Sequence, residues 1–237
     1  MSSRQPIPVL LIPFPQFNTL DLNGPLEILG NAALATGTFA ITVAAKDDIT
    51  TAVENVMIKR NISLDEARAS LEAYDILIQP GGGPDSIMPH LFPNDGSFTE
   101  LLEIVAAFAK LPPSPRVDGG ERVIMSICTG ALLLGYAGVF DGLTATTHYL
   151  ALDQLRAVCA DYVKRTSGAK GTKVVPSVPT DAIRYVDAGT NANMVRVISS
   201  GGISCGLDAT LYLVAQQLGK DKAVAIAEMM EYAWREA

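Results

Sequence analysis

Val123-Ile124-Met125-Ser126-Ile127-Cys128-Thr129-Gly130-Ala131-Leu132-Leu133-Leu134-Gly135 passes from a strand-like run into a helix-like run with no polar linker between them. Arg122–Ile127 carries the consecutive apolar residues Val123-Ile124-Met125, the mark of a strand covered on both faces. Ala131–Ala137 continues as an apolar helix. Working outward, the same alternation recurs. Pro8–Pro13 predicts a first strand, with a helix from about Asn23 to Leu34 after it. Phe39–Ala44 and Asp75–Gln79 predict two more strands, and a helix is expected over Phe98–Lys110. Thr144–Thr147 is expected as a fifth strand, Ala151–Cys159 as a helix and Met194–Ile198 as a strand. Helices over Cys205–Leu218 and Lys220–Arg235 close the chain. Buried strands alternating with helices imply an α/β three-layer sandwich with a mainly parallel sheet.

Two segments break the rhythm. Leu111–Gly120 is a Pro/Gly connection. Lys164–Gly189 is rich in Thr, Ser, Gly and Pro, with a small β excursion expected around Lys173–Val178 and Arg184–Val186. Each lies between core strands, so neither reads as an interdomain linker, and no internal repeat is visible. A single domain over residues 1–237 is expected.

With 49% apolar and 18% charged residues, the chain has the composition of a folded protein, not a solvating one. Its net charge of −7, with no block of Lys or Arg, argues against nucleic acid as a partner. Three cysteines imply no disulfide framework. Pro6, Pro8, Pro13 and Pro15 interrupt the first segment and rule out a signal-peptide core there. Ala131–Phe140, the longest apolar run, is about half of a bilayer span. The expectation is a cytoplasmic protein with no membrane partner.

Cys128 stands where the strand meets the helix. A nucleophile at such a turn is exposed above the sheet, near helix-end N–H groups that favour the thiolate. The carboxyl ends of the strands are also where open α/β sheets bind ligands. The position alone leaves a buried structural cysteine equally open. Pro80-Gly81-Gly82-Gly83 follows another strand and should reach the same edge. Its N–H groups, unshielded by Cβ atoms, suit an oxyanion site or belong to an ordinary turn. Asp21, in Leu20-Asp21-Leu22-Asn23-Gly24-Pro25, is expected in a loop after the first strand. It is either a partly desolvated proton-transfer group or a helix-start carboxylate, with Asn23 competing for the cap. Glu27 reads as a helix-face acid.

His148 follows Ala145-Thr146-Thr147 and either lies near Cys128, to orient substrate or share a proton with the thiol, or is a structural residue. His90 is expected at the surface. Cys159 is expected in the core, and Cys205 in the core or beside the ligand pocket. No His/Cys spacing suggests a metal site, and there is no phosphate-binding GxxxxGK[ST] or GxGxxG pattern.

Ser126 to Gly135, followed by Ala145-Thr146-Thr147-His148, closely resembles the DJ-1/PfpI superfamily. Leu20-Asp21-Leu22-x-Gly24-Pro25, Pro80-Gly81-Gly82 and Gly201-Gly202-Ile203-x-x-Gly206-x-Asp208 are similar to its isocyanide hydratase branch. The resemblance implies a flavodoxin-like sandwich, a homodimer and no cofactor. It also implies Cys128 as nucleophile and Asp21 as acid/base. The substrate would be a small electrophile, an isocyanide hydrated to an N-substituted formamide. Gly82, Gly83 and Thr129 would donate N–H groups to the reacting centre, with His148 beside it. Thr129 stands where peptidase-like and many glyoxalase-like members carry histidine, which disfavours peptidase activity. Glyoxalase- or deglycase-like action on 2-oxoaldehydes, and a non-enzymatic thiol sensor, are the alternatives.

Overall fold

A computed structural model describes residues 5–36, 38–116, 120–176 and 183–236. In chain order the strands are β1 Ile7–Leu11, β2 Phe39–Ala45, β3 Ile49–Thr51, β4 Met57–Lys59, β5 Ile62–Ser63 and β6 Ile76–Gln79. They continue with β7 Val123–Ser126, β8 Thr144–Ala145, β9 Lys173–Val174, β10 Tyr185–Thr190 and β11 Arg196–Ser200. The helices are α1 Thr19–Thr36, α2 Leu64–Ala69, α3 Met88–Leu91, α4 Thr99–Phe108, α5 Gly130–Tyr136, α6 Leu152–Arg165, α7 Cys205–Leu218 and α8 Lys220–Met229.

Seven strands form one sheet in the order β10-β11-β7-β6-β1-β2-β5, parallel throughout except at the β10–β11 edge. Helices α1, α7 and α8 pack together on one side, and α2, α4, α5 and α6 on the other. This is the expected three-layer α/β sandwich. The central strands are apolar on consecutive residues because helices cover both faces: all four residues of β6 and of β7 are buried.

Several expectations need correction. Thr144–Thr147 is not a core strand. Only Thr144–Ala145 is extended, and it pairs with Lys173–Val174 in a separate two-stranded sheet. The Thr146 N–H is taken by the Ser199 hydroxyl (2.9 Å) and its own hydroxyl by the Val175 carbonyl (2.9 Å), so the segment docks through side chains. Residues 184–186 belong to no isolated excursion: β10 runs antiparallel to β11 and closes the edge of the main sheet. Ser177 and Val178, at the end of the other expected excursion, lie outside the described residues, as do Val117, Asp118 and Gly119.

Helix α1 starts at Thr19, ahead of the expected Asn23, because its first turn is capped from outside. Asn18, not Asn23, receives the Leu20 N–H (3.1 Å), and Glu54 from the β3–β4 connection receives the Thr19 N–H (3.0 Å). Pro25 lies inside the helix, where the lost N–H would have served the Asp21 carbonyl one turn back. The last helix ends at Met229. Beyond it the chain is held by Asp208, which accepts from the Tyr232 hydroxyl (3.0 Å), the Arg235 N–H (2.9 Å) and, at its main-chain carbonyl, the Trp234 indole (3.2 Å).

Among the described residues no helix is long and apolar enough to cross a membrane.

Candidate active site

The carboxyl ends of β1, β6 and β7 lie side by side, and each strand delivers one part of the site. Cys128 follows β7 after one residue. Its φ of +53° is a left-handed conformation that strains a residue with a Cβ and turns the side chain sharply out of the strand. Three main-chain bonds hold the turn: Ile127 N–H to Gln79 O (2.9 Å), Cys128 N–H to Gly201 O (3.1 Å) and Gly130 N–H to Ile127 O (2.9 Å). The Thr147 hydroxyl donates to the Cys128 carbonyl (2.8 Å). The residue is only 4% exposed.

From β6 comes the glycine loop. A Cβ on Gly81 would stand 2.6 Å from the Thr129 and Gly130 nitrogens, and one on Gly130 would stand 2.3 Å from the Gln79 carbonyl. Only glycine at both places lets the β6 loop lie against the start of α5. From β1, through the first turn of α1, comes Asp21. It lies in the first turn of α1, the helix-start position that the sequence offered as one alternative, and is fully buried instead of partly desolvated in a loop.

Gly81 N–H donates to Asp21 Oδ2 (3.1 Å), while Oδ1 is buried with no hydrogen-bond partner among the described residues. Burial pushes the carboxyl up to about 7. The Gly81 N–H and the neighbouring Cys128 thiol pull it back down, and the Glu54 charge adds a small rise.

The thiol behaves in the opposite way to the sequence expectation. Burial, followed by the Asp21 charge, pushes it up to about 12, outweighing the Ile203 and Thr129 N–H groups, which favour the thiolate. The turn N–H groups are in place, but a closed, low-dielectric setting dominates them. A buried thiol beside a buried carboxyl holds its proton until the carboxyl takes it, so the two groups titrate as a pair.

Of the expected donors, the Thr129 N–H lies near enough to the thiol to favour its thiolate. Gly82 does not: its N–H is bound to the Thr129 hydroxyl (2.8 Å), which in turn donates to the Gly82 carbonyl. Gly82 therefore locks the loop to Thr129 instead of offering a donor. Gly83 is exposed, with open space where a Cβ would stand, and its carbonyl receives the Ser86 N–H (2.9 Å) and hydroxyl (2.7 Å).

His148 packs on the neighbouring turn. A Cβ on Gly202 would stand 2.1 Å from His148 Cδ2, so the imidazole lies directly on that glycine, beside Gly201 and Ile203. Its Nδ1 accepts the Leu150 N–H (3.2 Å), which leaves the proton on Nε2, and the ring stacks on Tyr149 at 4.8 Å. Burial lowers its pKa, so it is neutral at pH 7.

Gly201-Gly202-Ile203 entered the sequence reading only through the family resemblance and not as a donor turn; Ile203 has a φ of +42°, which a β-branched residue rarely adopts, and its N–H favours the thiolate. Cys205 is buried at the start of α7, close enough to Asp21 to feel its charge, whereas Cys159 packs against Gly135 in the core. Glu27 pairs with Asn31 on the exposed face of α1 (2.9 Å), and half-exposed His90 pairs with Asp95 (2.6 Å). A cleft of about 220 Å³ around Lys110, Tyr162 and Asn193 contains none of these site residues.

A model of the DJ-1/PfpI family matches residues 8–190. Among curated proteins, an isonitrile hydratase from Pseudomonas putida is 27% identical over 222 residues, covering 93% of this chain and 76% of its own length. Among solved structures, a ThiJ/PfpI family protein from Pseudomonas syringae superposes with a TM-score of 0.68. It is 23% identical, over 99% of this chain and 78% of its own. Drosophila melanogaster DJ-1beta superposes with a TM-score of 0.67 at 19% identity, over 97% of this chain and all of its own.

Proposed function

The chain belongs to the DJ-1/PfpI family, and we propose that within it this protein hydrates an isocyanide to an N-substituted formamide, with Cys128 as nucleophile and Asp21 as acid/base. The observation that carries the reading is the Asp21 carboxyl, buried beside the Cys128 thiol and raised to about 7. Such a group exchanges protons readily at neutral pH. The likeness to an isonitrile hydratase supports the choice of substrate class.

In this mechanism ionised Asp21 takes the thiol proton as sulfur attacks the terminal isocyanide carbon. Protonated Asp21 then returns that proton to the carbon, leaving an S-bound thioimidate. Asp21, ionised again, draws a proton from water as the water adds to the thioimidate carbon. The proton passes to nitrogen, the C–S bond breaks, and the formamide leaves as the sulfur regains a proton. The sum is one isocyanide and one water consumed and one formamide formed. Splitting the addition through a covalent intermediate replaces one difficult step by two easier ones. The Ile203 and Thr129 N–H groups steady charge on sulfur, and His148 orients the substrate. A nearly closed thiol favours an electrophile whose reactive carbon sits at the tip of a linear group, and no cofactor is needed.

Two further parts complete the reading. Ile49, Val53, Val56 and Met57 are exposed together on and around the β3–β4 hairpin, which supports a homodimer formed through that face. Three free thiols fit a reducing, cytoplasmic setting.

The test is turnover on a simple aryl or alkyl isocyanide, with formamide followed by mass spectrometry and methylglyoxal run in parallel. Formamide alone is the expected product. Activity on methylglyoxal alone would overturn the isocyanide reading in favour of hemithioacetal chemistry on 2-oxoaldehydes. Silence on both, with a stable oxidised Cys128, would overturn it in favour of a thiol sensor.

A further inference from the structure

We propose that Arg184 and Asp208 are positioning residues that hold the Gly201–Ser204 turn, the turn whose Gly201 carbonyl receives the Cys128 N–H (3.1 Å). Ile203 is held at a φ of +42°. A β-branched residue stays there only when its surroundings over-determine it. Main-chain bonds supply part of that restraint: Gly201 O accepts from Cys128 N (3.1 Å), and Cys205 N donates to Gly202 O (2.9 Å).

Arg184 supplies the rest by gripping the turn at both ends. Its carbonyl receives the Gly201 N–H (2.9 Å), and its guanidinium Nη2 donates to the Ser204 hydroxyl (3.1 Å). The guanidinium is fixed in turn by Asp208, through Nε to Oδ2 at 2.6 Å. Asp208 is fully buried, and its other oxygen is occupied by the Tyr232 hydroxyl and the Arg235 N–H. A carboxylate pinned on both oxygens leaves the guanidinium little freedom. Arg guanidinium can span two partners in this way because its donors form a rigid fork. The chain of restraint thus runs from the C-terminal segment through Asp208 and Arg184 to Ser204, beside the strained Ile203.

The inference rests on Cys128 being the reactive thiol but not on the identity of the substrate, so its test uses none. Alkylation of Cys128 by iodoacetamide is followed by peptide mass spectrometry from neutral to alkaline pH in wild type, Ser204→Ala and Arg184→Gln. Ser204→Ala removes one contact to the turn and leaves the buried ion pair alone. The expected result is alkylation slowed roughly three- to tenfold at neutral pH, the value of one hydrogen bond. Its rate–pH curve should move to higher pH while the melting temperature falls by no more than the few degrees that one hydrogen bond accounts for. Arg184→Gln should slow it further. A wild-type rate and pH curve in Ser204→Ala would overturn the proposal, even if Arg184→Gln is slow or fails to fold. Slowing that merely tracks a fall in melting temperature would overturn it as well.

Discussion

Asp21 and Cys128 arrive at the site from strands that are not neighbours, and the glycine loop between them sets their relationship. β6 separates β1 from β7, and the loop after it gives Asp21 a hydrogen bond through Gly81 N–H while pressing the same residue against Thr129. The loop thereby fixes a carboxyl and a thiol in one water-poor space. Neither is in its ordinary protonation range there: the carboxyl is pushed up to about 7 and the thiol up to about 12.

Activity should follow the ionisation of Asp21. With the carboxylate as the base that takes the thiol proton, kcat/KM is expected to rise with pH through about 7. Asp21→Asn should lower the rate by roughly 10²- to 10⁴-fold and abolish that rise. A pH–rate profile that the substitution leaves unchanged would remove Asp21 from the mechanism.

Stability should report the same carboxyl with a definite sign. Because the folded-state pKa lies above the unfolded one, the folded state binds the proton more tightly. The associated stability is fully present below about pH 4 and is lost as pH rises through about 7. A rise from 3.8 to about 7 corresponds to roughly 4 kcal/mol across that window. Asp21→Asn, which stays neutral, is expected to melt above wild type at pH 8 and to lose the advantage near pH 4. Melting curves of the two proteins at both pH values check this.

The approach of the β6 loop to α5 should be intolerant of a single methyl group. In Gly81→Ala the new Cβ meets backbone nitrogen of Thr129 and Gly130 at 2.6 Å, with no flexible side chain to yield. A loss of about 1–3 kcal/mol is expected from the forced separation, together with a loss of turnover larger than that of stability. Denaturant unfolding and kinetics on the same preparation separate the two effects.

His148 should act on binding and not on proton transfer. It is neutral at pH 7 and its Nδ1 is engaged by Leu150. His148→Ala is expected to raise KM a few-fold while leaving the pH dependence of kcat/KM near 7 in place. Loss of that dependence would assign the titration to the histidine instead of Asp21.

Much of this arrangement was legible in the sequence, for identifiable reasons. β1, β6 and β7 are covered on both faces, so their apolar runs stand out, and α7 spans the Cys205–Leu218 that its pattern suggested. The hairpin β3–β4 escaped notice because its strands are three residues each and half exposed. The start of α1 was expected about four residues late, near Asn23, because the cap that starts it at Thr19 comes partly from Glu54, thirty-five residues away. Cys128 was recognisable by its place between strand and helix. The raised pKa of its thiol was not, since it depends on burial by distant segments. The conformation of Ile203 was not legible either, because its positive φ is set by the packing of the Gly201–Ser204 turn and not by its own side chain.

The central claim is that Cys128 forms the covalent bond through which an isocyanide is hydrated. Formamide production by wild type and Cys128→Ala, measured side by side on the same isocyanide with circular dichroism confirming that both are folded, tests it most directly. The account predicts formamide from wild type and a rate at least about 10³-fold lower from Cys128→Ala, as expected for loss of a covalent nucleophile. Formamide produced at comparable rates by both proteins would contradict it.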